Sequence, residues 1–189
     1  MQETILYHIT RFKKLKKGDK LSFGRTLNFF AQRMLELEFK INEKDINELV
    51  FSKNFNEFTE EEIKTTKTYI YESCLMLREL ILEQVRSQEF PHLPSRFKCI
   101  YCVKTLRQAQ NWVSALKRMQ PEKPPLQIVK LKCKGTAFEA DGDLMLRNTL
   151  SINSKIEMAK KYWQGTTNSK HPEVLFVGEA EISEVIQEV

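Results

Sequence analysis

Phe97-Lys98-Cys99-Ile100-Tyr101-Cys102-Val103-Lys104-Thr105-Leu106-Arg107-Gln108-Ala109-Gln110-Asn111-Trp112 is the stretch that decides the fold class. Residues 97–103 are apolar and rich in aromatic and β-branched side chains, which predicts a strand. Thr105 then caps a helix carrying Leu106, Ala109, Trp112, Val113 and Leu116 at helical spacing. Upstream, Phe90 to Ser95 holds two prolines three apart, which deny it ladder and helix bonds. Downstream, Pro121 to Pro125 breaks the chain again, and Leu126 to Lys134 reads as a half-buried strand on Leu126, Ile128, Val129, Leu131 and Cys133.

Further out, residues 4–10 read as a first strand, followed by a basic loop over 13–20. Leu27, Phe30, Met34 and Leu37 give helical spacing over 25–40, and 43–51 reads as a short helix. Thr59 with Glu62 is a capping box, opening a helix to about Arg86. Its stripe of Ile63, Ile70, Cys74, Leu77, Ile81 and Val85 is expected to pack on the sheet or on helix 25–40. Residues 143–150 are expected to form a strand, 154–163 a helix ending near Gly165, and 174–182 a last strand. Strands and helices are grouped rather than strictly alternating, which indicates α+β. No repeat or linker divides residues 1–189, so a single domain is expected.

Composition narrows the function classes. Apolar residues make up 41% and charged residues 29%, as in a globular protein. Thirty Lys and Arg against 25 Asp and Glu leave +5, a mild excess that permits an anionic ligand without indicating one. No apolar run is long enough to span a bilayer and no signal-peptide pattern opens the chain, so a cytoplasmic protein without a membrane partner is expected. Four dispersed cysteines fit that location. Cys99 and Cys102 have C-x-x-C spacing but lie on a strand, facing opposite ways, and no second ligand pair follows. Structural thiols and no metal are expected.

Three stretches in order resemble the His-Tyr-Glu, or poly(ADP-ribose) polymerase-like, branch of the ADP-ribosyltransferases. They are Leu6-Tyr7-His8-Ile9-Thr10, the Cys99–Val103 strand with its helix to Trp112, and His171-Pro172-Glu173-Val174-Leu175-Phe176-Val177. The family has Gly where Ile9 and Cys99 stand. The Y-H-x-T start and the Pro94-Ser95-Arg96 to Tyr101 centre are also similar to a small bacterial family grouped with that fold.

The resemblance implies a split, mostly antiparallel sheet with a helical insertion over about 25–90. It implies NAD as substrate, with His8 on a ribose and the Ile9 main chain on the nicotinamide amide. Tyr101 and Trp112 would flank the nicotinamide ring and Glu173 would be the catalytic carboxylate. Chemically, nicotinamide loss develops positive charge on the ribose, which a carboxylate stabilises most in the transition state. Aromatic faces suit a planar cation, and the Arg96 fork suits a phosphate.

Two readings follow. One is a NAD-dependent ADP-ribosyltransferase or NAD-cleaving enzyme acting on an unidentified protein or nucleic-acid acceptor. The other is a catalytically silent module of the same fold that binds a nucleotide or a partner macromolecule. Glu179-Ala180-Glu181 offers a competing E-x-E motif, but without the Arg and Ser-Thr-Ser strands of that class it reads as a solvent face. The basic loop reads as a solvated loop or as a contact to pyrophosphate or nucleic acid.

Overall fold

The structure, a computed structural model, describes residues 3–41, 44–119, 124–145, 150–165 and 169–189. Two long antiparallel strands form its spine, β6 (Gln127–Asp141) and β7 (Pro172–Glu188). β1 (Thr4–Thr10) pairs with the first half of β6, from Thr4 opposite Cys133 to Thr10 opposite Gln127. The far edge of β7 is divided. β5 (Ile100–Cys102) takes residues 174–176, and β2 (Lys20–Phe23) takes 178–181. Tyr7 and Val103 exchange both backbone hydrogen bonds at 2.8 Å, so the sheet curls until β1 meets the end of β5.

The division of β7 falls where Gly178 lies opposite Gly135. A Cβ on Gly178, which has φ +132°, would sit 2.4 Å from the Lys134 carbonyl oxygen, and one on Gly135 would sit 2.1 Å from that of Val177. Bare backbone is required at this crossing, as glycine at a strand bend provides.

Leu6, Val129, Leu131, Val174, Phe176 and Ile182 close the inner face of the curl. Between β2 and β5 the chain forms α1 (Phe29–Glu36), the two-residue strands β3 (Lys40–Ile41) and β4 (Lys44–Asp45), α2 (Ile46–Ser52) and α3 (Glu60–Glu89). The C-terminal half of α3 and α5 (Ile152–Trp163) cover the outer face, with Ile81, Leu82, Val85, Tyr162 and Trp163 packed on Leu175 and Cys99. α4 (Leu106–Met119) sets Ala109 and Val113 against Val103 and Ile128. The molecule is therefore α+β with an antiparallel main sheet, and the helical segment between β2 and β5 is present. No helix among the described residues is long and apolar enough to cross a membrane.

Several boundaries differ from expectation. The helix of 25–40 starts only at Phe29, because residues 24–28 run along the next segment through Gly24 N–H to Lys98 O and Asn28 N–H to Phe97 O. Strand 97–103 is shorter, since Lys98 N–H turns back to Ser95 O. The strand expected over 143–150 is replaced at Gly142–Met145 by a 3-10 turn, and 146–149 lie outside the described residues. So do 120–123, within the proline break, and 42–43, at the edge of the expected 43–51 helix.

The stripe on α3 is buried only at one end. Both arms of the Thr59–Glu62 capping box form, and Ile81 and Val85 are buried. Ile63, Ile70 and Leu77 are 38%, 57% and 40% exposed. Thirty residues of helix extend about 45 Å, and only the second half has the sheet and α5 beneath it. The first half instead turns Tyr69 toward α2 and Glu72 toward α1.

Candidate functional site

Arg96 is the centre of the polar interior. Its carbonyl accepts from Asn28 Nδ2 and from the Tyr101 hydroxyl, each at 2.8 Å, which pins the turn before β5. Its guanidinium enters the space between the outer face, α3 and α5. Nε donates to Glu79 Oε2 at 2.6 Å, while Nη1 donates to the Tyr162 hydroxyl at 2.6 Å and to Glu173 Oε1. The Tyr162 hydroxyl donates to the same Glu173 oxygen. The guanidinium carbon lies over the rings of Tyr101 and Tyr162, at 4.9 and 5.2 Å from their centroids. Arg78 supplies a second cation to Glu79, at 3.0 Å.

Two carboxylates thus face two guanidiniums, with Arg96 2% and Glu79 0% exposed. Charges this deep survive only when paired and hydrogen-bonded. Burial alone would raise the Glu79 carboxyl; Arg96 and Arg78 outweigh it and hold it below the usual range. Burial likewise opposes the Arg96 cation, but Glu173 and Glu79 push its pKa well up. Desolvation drives the Tyr101 and Tyr162 hydroxyls well above theirs, so both are neutral donors.

The sequence-predicted residues are only partly brought together. Tyr101 lies opposite Leu175, so Tyr101 and Glu173 share the outer face, and Arg96 stands between them. His8 follows Tyr7, which is bridged to Val103, so strand alternation turns it to the inner face, opposite Tyr101. One bond links the two residues, His8 Nδ1 to the Tyr101 carbonyl at 2.8 Å. A carbonyl only accepts, so Nδ1 carries the proton and Nε2 is the acceptor. Burial lowers the His8 pKa and keeps the ring neutral, against the raising effect of that bond.

Ile9 packs toward α4, and its main-chain groups face the edge that Tyr7 uses for Val103. Trp112 lies elsewhere than over Tyr101. Its Nε1 donates to Pro172 O at 2.8 Å, and its ring meets His171 at 5.4 Å. The aromatic ring that joins Tyr101 over the cation is Tyr162. His171 itself is held by Asp143, with Nδ1 at 2.6 Å from Oδ1. Glu179 and Glu181 are exposed across from Lys134 and Lys132, on the solvent face expected of them. Cys99 and Cys102 are buried free thiols on opposite faces, and burial raises both pKa values.

Residues 6–188 match the family described as Protein of unknown function (DUF2441). The chain belongs to this family. No curated protein matches it. The DUF2441 match contains His8, Glu79, Arg96, Tyr101, Tyr162 and Glu173, the whole cluster together with the histidine beside it.

Glu79 and Tyr162 were not among the predicted site residues. A signal for Glu79 does exist: it lies between Leu75 and Leu82 at helical spacing, an acid on a buried face that demands a cation. Tyr162 carries no comparable mark, because an aromatic beside Trp163 at a helix end reads as packing.

Proposed function

We propose that this chain is a catalytically silent ADP-ribosyltransferase-like module that binds a partner macromolecule. The observation that carries the reading is the place of Arg96. A nicotinamide riboside site needs a planar cation against aromatic rings with a carboxylate alongside. Here the protein's own guanidinium lies over Tyr101 and Tyr162 and holds Glu173. Glu79, from the helical insertion, locks Arg96 from behind.

NAD does not fit these residues as they stand. The Glu173 carboxylate is buried and committed to two donors, and His8 is turned to the other face. A cavity of about 20 Å³ between α3 and α5, lined by Arg78, Leu82, Met145 and Tyr162, is about the size of one water.

The other reading is NAD-dependent ADP-ribosyl transfer or NAD cleavage with Glu173 on the ribose cation. It draws on Tyr101 and Glu173 sharing one face, and it requires Arg96 to leave. Incubation with labelled NAD separates the two. The silent reading expects nicotinamide release at the no-protein rate and no label transferred to a lysate. Sustained release that Glu173→Gln abolishes would overturn it.

A further inference from the structure

We propose that the face built by residues 11–33 binds single-stranded nucleic acid, with backbone phosphates at Arg11 and Arg33 and a base on the Phe12–Phe29 pair. This deepens the binding-module reading by naming the partner, and it rests on that reading for its biological role.

The charge of the chain is concentrated here. Residues 11–33 hold eight Lys and Arg and one acid, Asp19, a net +7; the other residues together carry −2. On the β7 side part of this is neutralised, by Glu188 on Lys14. Lys13, Lys17 and Arg25 are exposed and form no ion pair with a described residue. The surplus positive charge is therefore carried by exposed side chains of the loop and of the approach to α1, and a polyanion is its complement.

Two aromatic rings stand in the same place. Phe12 and Phe29 are 48% and 58% exposed and pack on each other, with ring centroids 4.8 Å apart. The Arg11 guanidinium lies 6.0 Å from the Phe12 centroid. Arg33, one helical turn beyond Phe29, holds both oxygens of Glu72 through Nη2 at 2.7 and 2.8 Å. Its Nε is buried and has no hydrogen-bond partner among the described residues. Arg11 feels both Arg33 and Glu72, so one carboxylate acts on two guanidiniums. A phosphate held against the pair would offset the repulsion between the two cations.

Exposed rings beside recessed guanidiniums fit an unpaired base with its phosphate. A duplex keeps its base faces stacked inside and offers none to a ring. An anionic bilayer would engage the exposed lysines and the rings but would not reach Arg11 and Arg33, which are half-buried beside them.

The test is fluorescence anisotropy of the full chain with labelled oligothymidylate and oligouridylate, each longer than the about 4–16 nucleotides such grooves cover. Binding is expected, with log K falling against log salt at a slope of about −3 if about four phosphates are neutralised. Phe12→Ala with Phe29→Ala, both at exposed positions, is expected to weaken binding about 10-fold or more. Lys13→Glu with Lys17→Glu is expected to flatten the salt slope. No binding at low salt overturns the proposal. So does affinity that the Phe variants leave unchanged, which would be plain cation exchange. Equal binding of the mononucleotide, or preferential binding to anionic phospholipid vesicles, overturns it as well. No NAD is present, so failure here leaves the sealed Arg96 site standing, and NAD turnover would leave this face standing.

Discussion

The two halves of α3 each present a buried glutamate to arginine, and the two arrangements differ. In the C-terminal half, Glu79 meets Arg78 and Arg96 beneath α5, and a second carboxylate, Glu173, completes the set. In the N-terminal half, Glu72 meets Arg33 beyond the edge of the sheet, and Arg33 Nε stays unsatisfied. Balanced charge with full hydrogen bonding makes a closed cluster that ties α3, the Arg96 turn, α5 and β7 together. Two half-buried guanidiniums, Arg11 and Arg33, that feel one carboxylate beside exposed rings leave positive charge over for an outside anion.

The contrast breaks most easily at the arginines. Arg96→Leu leaves Glu79 and Glu173 buried with donors missing and is expected to cost about 3–5 kcal/mol in urea unfolding. Arg33→Gln should cost about 1.5–3 kcal/mol. Equal losses would erase the distinction. The apolar neighbours sharpen it: Ile81→Ala should cost about 2–5 kcal/mol, while Leu77→Ala, on the uncovered stretch, should stay within about 0.5 kcal/mol. Tyr162→Phe keeps the ring and removes the hydroxyl between Arg96 and Glu173, for about 1–3 kcal/mol.

Acid gives a smaller and more specific signal. Glu79 has a folded pKa below its unfolded one, so its contribution is present above about 4.3 and is lost as pH falls through the folded value. The stability gap between wild type and Glu79→Gln should therefore shrink as pH drops below about 4.3. A gap that stays constant in acid would mean that Glu79 is not ionised in the cluster.

Much of the fold was legible where burial on one side imposes a period. Strands over 4–10, 126–134 and 174–182 and the helix opened by Thr59 and Glu62 all appear. The extra length of β6 and β7 was not legible, because it runs through exposed Gly135, Thr136 and Ala137 and through exposed Glu184, Gln187 and Glu188, which read as polar ends rather than as strand. Periodicity also cannot tell where the support under a helix ends. Ile63 and Ile81 lie on the same stripe, and only tertiary structure leaves one exposed and buries the other.

At the site, the motifs single out Tyr101, Arg96 and Glu173, but not the contacts that bring them together. Arg96 reads as a phosphate fork until Glu79, 17 residues upstream, and Glu173, 77 downstream, close on it. Such contacts leave no mark in local spacing.

Arg96 holds Glu173, and the central proposal is that it does so in the place a nicotinamide would need. NMR of arginine side-chain Nε–H groups, with NAD added to millimolar concentration, tests it most directly. The sealed cluster predicts an Arg96 Nε–H signal that exchanges slowly with solvent and is unchanged by NAD. A saturable shift or loss of that signal on adding NAD, absent in Glu173→Gln, would show the ligand displacing the guanidinium and would contradict the account.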